Sequence, residues 1–232
     1  MPSVRLEPEA SSSFQPAPLT VVWFCNGSTE PAAPSSANHD ALSFLRALKG
    51  EPLVGEATVP LPGGPRRLGN HNLDEAIDWF GAMVAGYLKS RSLAPSFFAV
   101  PIPDADTTLE SSAGPWTSLL AMAVASELEE QTETLDVLRW KKSLKTLPTE
   151  VASAGRLWEN LALLGKVDWD RPVLLVDHLV HAARAQACHA FLRAQGAQVL
   201  LCAMAGRIAP RTPSSPFGVF KAELSGLNTP PR

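Results

Sequence analysis

Asp177, His178, His181 and Arg184 fall close together, between the apolar run Val173–Val176 and an alanine-rich segment. A carboxylate beside an imidazole is the pairing general acid–base chemistry uses, because one accepts a proton while the other donates it. Two imidazoles and a guanidinium at the start of a helix offer donors to an anion, where backbone N–H groups and the helix dipole add their own attraction. The Asp-His-x-x-His order also contains metal-ligand types. It falls on a turn, however, without the i,i+4 helical spacing of zinc-binding helices, and His189 sits about two turns further along, so no metal is expected. The plainer reading stands beside these: turn residues that pack or meet solvent, with Arg184 opposing the dipole of the helix that follows at a small cost.

Two further groups carry charge behind apolar runs. Arg139, Lys141, Lys142 and Lys145 follow "TLDVLRW", and read either as a solvated loop face or as contacts to a polyphosphate. Four charges with Trp140 as the one aromatic make no platform for nucleic acid. Asp104 and Asp106, in "PDADTT" directly after Pro103, are exposed loop acids, ligands for magnesium, or a source of repulsion for any anion nearby.

These residues need elements to position them. "LTVVWFC" (19–25), "FFAVPIP" (97–103), "TLDVLRW" (134–140), "PVLLVD" (172–177) and "QVLLCAMA" (198–205) are apolar runs of buried-strand length. Helical spacing predicts helices over 40–50, with Asp40 as cap and Gly50 as stop, over 72–90, with Asn72 and Glu75 as a capping box, and over 115–130. A short helix is expected near 155–164 and a longer one over 182–195, ended by Gln195-Gly196-Ala197. Strands alternating with helices predict an α/β fold with a mostly parallel sheet flanked by helices on both faces. Ligands of such sheets bind at the C-terminal strand edge, where the winding direction switches. That directs attention to residues 101–106, 139–145 and 177–184.

The segment "VLLVDHLVHAARAQACHAFLRAQGAQVLLCAMA" resembles the type I phosphoribosyltransferases, closest to the competence-associated subgroup. Their fingerprint is an apolar strand, two acids, a Thr-Thr-Gly-x-Thr turn and a helix ending in an "LR-x-x-GA" turn. "FFAVPIPDAD" is similar to the family's pyrophosphate loop, and Arg139, Arg156 and Asn160 match an Arg and an Arg-x-x-x-Asn pair of the subgroup. The resemblance spans about residues 40–208 and implies a phosphoribosyltransferase-like fold with a small hood-like region over 26–95. It implies a ligand crevice in which Asp177 and His178 occupy the two acid positions that hold ribose hydroxyls. His181, Ala182, Ala183, Arg184 and Ala185 occupy the phosphate turn, and Pro103, Asp104, Arg139, Lys141 and Lys142 lie on the pyrophosphate side.

The departures are large. One acid is a histidine, the hydroxyls of the turn are gone, and Ala183 replaces the glycine. Hydrogen bonds to charged groups contribute roughly 1.5–3 kcal/mol each, so losing three weakens donor binding by about a thousandfold or more. The expected function is therefore a phosphoribosyltransferase-fold protein with a degraded donor loop for phosphoribosyl diphosphate, acting without catalysis. It would bind a nucleotide or phosphosugar, or serve as a regulatory or partner-binding module. Two alternatives stay open. One is an active transferase with an atypical donor loop, which alone would require magnesium. The other is a nucleoside or phosphosugar hydrolase with Asp177 and His178 as its acid–base pair.

Composition sets the frame. The 232 residues suit one sizeable α/β domain, and 45% hydrophobic with 19% charged residues is ordinary for a globular chain. A net charge of −3 supplies no field for nucleic acid. Cys25, Cys188 and Cys202 lie in apolar surroundings without CxxC spacing, which fits reduced core thiols and a cytoplasmic location. No apolar leader is visible, and no apolar run approaches the roughly 20 residues of a membrane span. Residues 1–18 read as a flexible arm, 19–208 as the domain, and 209–232 as a Pro-rich tail, although Phe217, Val219 and Phe220 are candidates to pack on the body.

Overall fold

Two neighbouring parallel strands, β4 (Phe98–Pro101) and β8 (Val173–Leu179), occupy the middle of the sheet in this computed structural model. The structure describes residues 18–29, 35–93, 96–128, 132–147, 153–211 and 213–225; the expected arm up to residue 17 lies outside them. The main sheet also takes in β1 (Leu19–Ser28), β5 (Glu133–Thr134), β9 (Val199–Ala209) and β10 (Phe217–Leu224), in the order β10-β1-β9-β8-β4-β5. All neighbours are parallel except β10, which runs antiparallel to β1.

The stretch from residue 209 is therefore not simply a tail. Phe217–Leu224 adds an edge strand, with Phe220 stacked 5.9 Å from Trp23. Alternating burial along this strand is the pattern of an edge with one covered face, hidden in the sequence by the prolines around it.

Each strand alternates its side chains between the two sheet faces. Val22, Phe24, Ala99, Leu174, Val176 and Ala203 form one core with helices α1 (Ser36–Ala47), α2 (Glu75–Ser90) and α3 (Thr117–Glu127). Val21, Trp23, Val100, Leu175, Cys202 and Met204 form the other with α4 (Ala154–Glu159) and α5 (Ala182–Ala194). Strand residues buried on both faces explain why the runs read as continuously apolar. Helices α2 and α3 meet where Gly81 faces the Ala123 carbonyl; a Cβ there would lie 2.6 Å from that oxygen.

Several boundaries differ from the pattern reading. Ser35, not Asp40, caps α1, accepting from the Asn38 amide at 3.1 Å, while the Asn38 side chain holds both the amide and the carbonyl of Ser28 at the end of β1. Asn72 does not cap α2; its amide side chain ties the turn at Arg67 and Gly69. The proline-bearing stretch 57–68 is a hairpin of β2 (Ala57–Leu61) and β3 (Gly64–Leu68). The single strand expected over 134–140 divides: after β5 the chain leaves the sheet, and β6 (Leu138–Trp140) pairs with β7 (Leu161–Leu163) in a separate antiparallel ribbon. Period-two patterning reports that a segment is extended, not which sheet it joins. Helix α5 ends as read, with Gly196 at φ +89°. Among the described residues, no helix is long and apolar enough to cross a membrane.

Candidate functional site

From β4 the chain crosses through α3 to β5 on one side, and from β8 it crosses through α5 to β9 on the other. The winding therefore reverses between β4 and β8, and the crevice of such a sheet lies beyond their C-terminal ends. The β4 side delivers Pro103 and Asp104; the β8 side delivers Asp177, His178 and the turn into α5.

Asp177 and His178 are consecutive in a strand, so their side chains leave opposite faces of the sheet. Asp177 is 1% exposed and turns toward α5, where its Oδ2 accepts from Arg184 Nη2 at 2.9 Å and its Oδ1 from the His178 amide at 2.7 Å. His178, also buried, turns toward α1, and its Nε2 lies 2.8 Å from the Leu45 carbonyl. A carbonyl only accepts, so Nε2 carries the proton. The two groups expected as an acid–base pair are thus parted by the sheet, and each is occupied by protein.

Burial raises the Asp177 carboxyl above its ordinary range, with the Arg184 charge the main opposing influence. Burial likewise pushes the His178 imidazole down to about 4. His181, the residue before α5, keeps an exposed edge, yet the crevice walls and then the Arg184 charge bring it to about 4 as well. Both rings are neutral at pH 7.

The turn at residues 181–185 is the start of α5. His181 precedes α5 with no side-chain cap, Ala182 and Ala183 are half-buried in the first turn, and Ala185 is fully buried against the core. Arg184 does not stand free against the dipole. It folds back seven residues to Asp177, is 17% exposed, and leaves its Nε buried without an acceptor among the described residues.

The β4 side is equally self-satisfied. Asp104 Oδ2 accepts from the Trp116 amide at the start of α3, and the Trp116 indole donates to the Leu48 carbonyl. Burial raises the Asp104 carboxyl, the Trp116 amide lowers it, and the nearby charges of Asp177 and Arg184 act on it in opposite directions. The Pro103 carbonyl accepts from the Trp140 indole at 3.2 Å. Trp116 and Lys49 are crevice residues that sequence reasoning passed over. Lys49 follows α1 and acts electrostatically on Asp177, His178 and His181. The one signal for either was position: Trp116 beside Pro115 at a helix start, Lys49 beside the stop at Gly50.

The basic run is spent elsewhere. Arg139, 7% exposed at its side chain, forms a two-pronged pair with Asp136 and also donates to the Leu138 carbonyl. Lys141 Nζ donates to the Glu159 carbonyl at 2.7 Å, and the Asn160 side chain clamps both the amide and the carbonyl of Lys142. Lys145 pairs with Asp106. These contacts join the β6–β7 ribbon to the loop after β4 and to α4. Asp104 and Asp106, the acids considered for magnesium, are engaged by an amide and a lysine. Among the described residues no group of three or more His, Cys, Asp or Glu could hold a metal ion. An apolar groove of about 410 Å³, lined by Phe24, Pro60, Pro62, Met83, Tyr87 and Phe217 among others, shares no residue with the crevice.

No protein-family model matches the chain, and no curated protein matches it at a significant level.

Proposed function

We propose that the chain is a phosphoribosyltransferase-like protein whose crevice no longer catalyses and instead serves as a binding module for a phosphorylated small molecule. The observation that carries this reading is the Asp177–Arg184 ion pair. In the resemblance, the acid at this position holds ribose hydroxyls, yet here both of its oxygens are engaged by the chain itself. His178, in place of the second acid, is engaged by Leu45 on the opposite face of the sheet. With Asp177 committed to Arg184 and His178 turned to the other face of the sheet, the two do not meet one substrate together, which counts against the ribose-holding pair of the transferase and the acid–base pair of the hydrolase.

Charge supports the same conclusion. Asp104 and Asp177 stand against Lys49 and Arg184, while both histidines are neutral, so the crevice presents no strong field to a multiply charged donor. What remains is the start of α5, uncapped by any side chain, with His181 and Arg184 beside it. Such a helix start suits a single phosphate. The end of α1 meets two residues of this region, its Leu45 carbonyl accepting from His178 and the Leu48 carbonyl just after it from Trp116, which supports a hood-like role for this part of the chain.

The test has two arms. Incubation with phosphoribosyl diphosphate, magnesium and a panel of bases should release no pyrophosphate; turnover at an enzymatic rate overturns the reading. Calorimetry with ribose 5-phosphate and nucleoside monophosphates should give heats that disappear in Arg184→Gln. A flat panel would remove the small-molecule ligand and leave a protein partner.

A further inference from the structure

The guanidinium in the crevice is both engaged and incompletely satisfied. Arginine presents five N–H donors in a planar fork that suits oxyanions. Arg184 meets Asp177 through Nη2, while its Nε is buried with no acceptor among the described residues. Its counter-ion is 1% exposed and already accepts a backbone amide on its other oxygen. One arm of the fork is therefore committed to a carboxylate of the same chain, which fixes the guanidinium against Asp177 while its Nε stays unsatisfied.

We infer that the Asp177–Arg184 pair is an autoinhibitory contact: Asp177 holds the guanidinium that an oxyanion entering the crevice would need, and the anion binds by taking Arg184 from it. This rests on the phosphate-binding reading above and adds its regulation. Neutralising Asp177 opens the contact, so acid promotes anion binding.

His178, on the other face of the sheet, and His181 feel the charges of Arg184 and Lys49. The groups facing Asp177 are Asp104 from the loop after β4 and Lys49 after α1. Arg184 and Cys188 face it from α5, and Cys202 from β9. Burial raises both cysteine thiols, which stay neutral, and the two histidines stay neutral until pH nears 4. Just above that pH, the groups that gain a proton early are the buried carboxyls of Asp177 and Asp104, and substitution separates the two.

Sulfate is a suitable probe because it remains a dianion across the range. Titration calorimetry at neutral pH should show sulfate binding Asp177→Asn about tenfold more tightly than wild type, the worth of one charged hydrogen bond. Adding Arg184→Gln to that variant should abolish the gain. Wild-type affinity should rise as the pH is lowered from neutrality toward the range just above 4 where the histidines stay neutral; Asp104→Asn should keep that rise and Asp177→Asn should lose it. If Asp177→Asn does not fold, wild type against Arg184→Gln decides: an acid-enhanced affinity lost in Arg184→Gln supports the contact, and identical pH profiles overturn it. Equal, pH-independent sulfate binding by wild type and Asp177→Asn overturns the autoinhibition and leaves the phosphate reading intact. Absence of sulfate binding by every form at both pH values overturns both.

Discussion

The turn from β8 into α5 and the segment from Arg139 to Lys145 look alike in the sequence, each a cluster of charge behind an apolar run, and each matched to a phosphate contact. In the structure they share little. Strand β8 lies between β4 and β9 at the reversal of the sheet, so its end opens on the crevice with Asp177 fully buried beneath it. Strand β6 pairs with β7 in a small ribbon, and its charges cross-link that ribbon to Asp136, Asp106 and the end of α4. A charged residue after a strand borders the crevice when the strand ends at the switch point; on the ribbon the same kind of residue only ties neighbouring segments together. Depth separates the two regions as well. The Asp177–Arg184 pair is sealed on the carboxylate side, whereas Asp136 opposite Arg139 is 28% exposed and keeps access to water.

Breaking the buried pair should produce the largest effect. Arg184→Met strands Asp177 without a counter-charge, and denaturant unfolding should show a loss of about 3–5 kcal/mol. Asp177→Leu added to Arg184→Met removes the orphaned charge, and most of that loss should return. A single variant no less stable than wild type would mean that the pair is not sealed.

His178→Leu leaves the Leu45 carbonyl buried and unpaired, for a loss of about 1–3 kcal/mol in the same assay. The histidine also predicts a pH window. Its folded pKa of about 4 lies below the ordinary 6.5, so at intermediate pH the unfolded chain binds more protons. Its contribution is complete above 6.5 and fades as pH falls toward 4. Thermal melts should show that decline in wild type, shallower in His178→Leu, with His181 and His189 supplying the remainder in the same direction.

Arg139→Leu should cost less than Arg184→Met, about 1–2 kcal/mol, because water replaces the guanidinium at Asp136. It should leave sulfate and ribose 5-phosphate binding unchanged. A loss of ligand binding there would return the ribbon to the site. The smallest effect belongs to Lys141→Ala with Lys142→Ala, within about 0.5 kcal/mol of wild type and without change in ligand heats.

Much of the fold was legible because its strands are buried on both faces and its helices carry apolar stripes; the runs at 19–25, 97–103, 172–177 and 198–205 all lie in or across strands of the main sheet. What escaped depended on context. Phe217–Leu224 became a strand because the exposed side of β1 needed a partner, and "TLDVLRW" divided because β4 offers β5 two paired residues. In the site, the turn at 177–185 could be found from its residues, but its internal bonding could not. Arg184 reaches Asp177 across seven residues, and His178 reaches Leu45 across 133.

By itself, the sequence determined the alternation of buried strands and helices, the placement of Asp177 and Arg184 at a strand end and a helix start, and the loss of hydroxyls between them. Those follow from local periodicity and residue type. Only the tertiary structure decided that Asp177 and His178 serve opposite faces of the sheet, that Trp116 and Lys49 join the crevice, and that the basic run at 139–145 stays out of it. Each of those outcomes depends on which distant backbone or side chain satisfies a polar group once water is excluded, and nearby residues in the chain do not fix that choice.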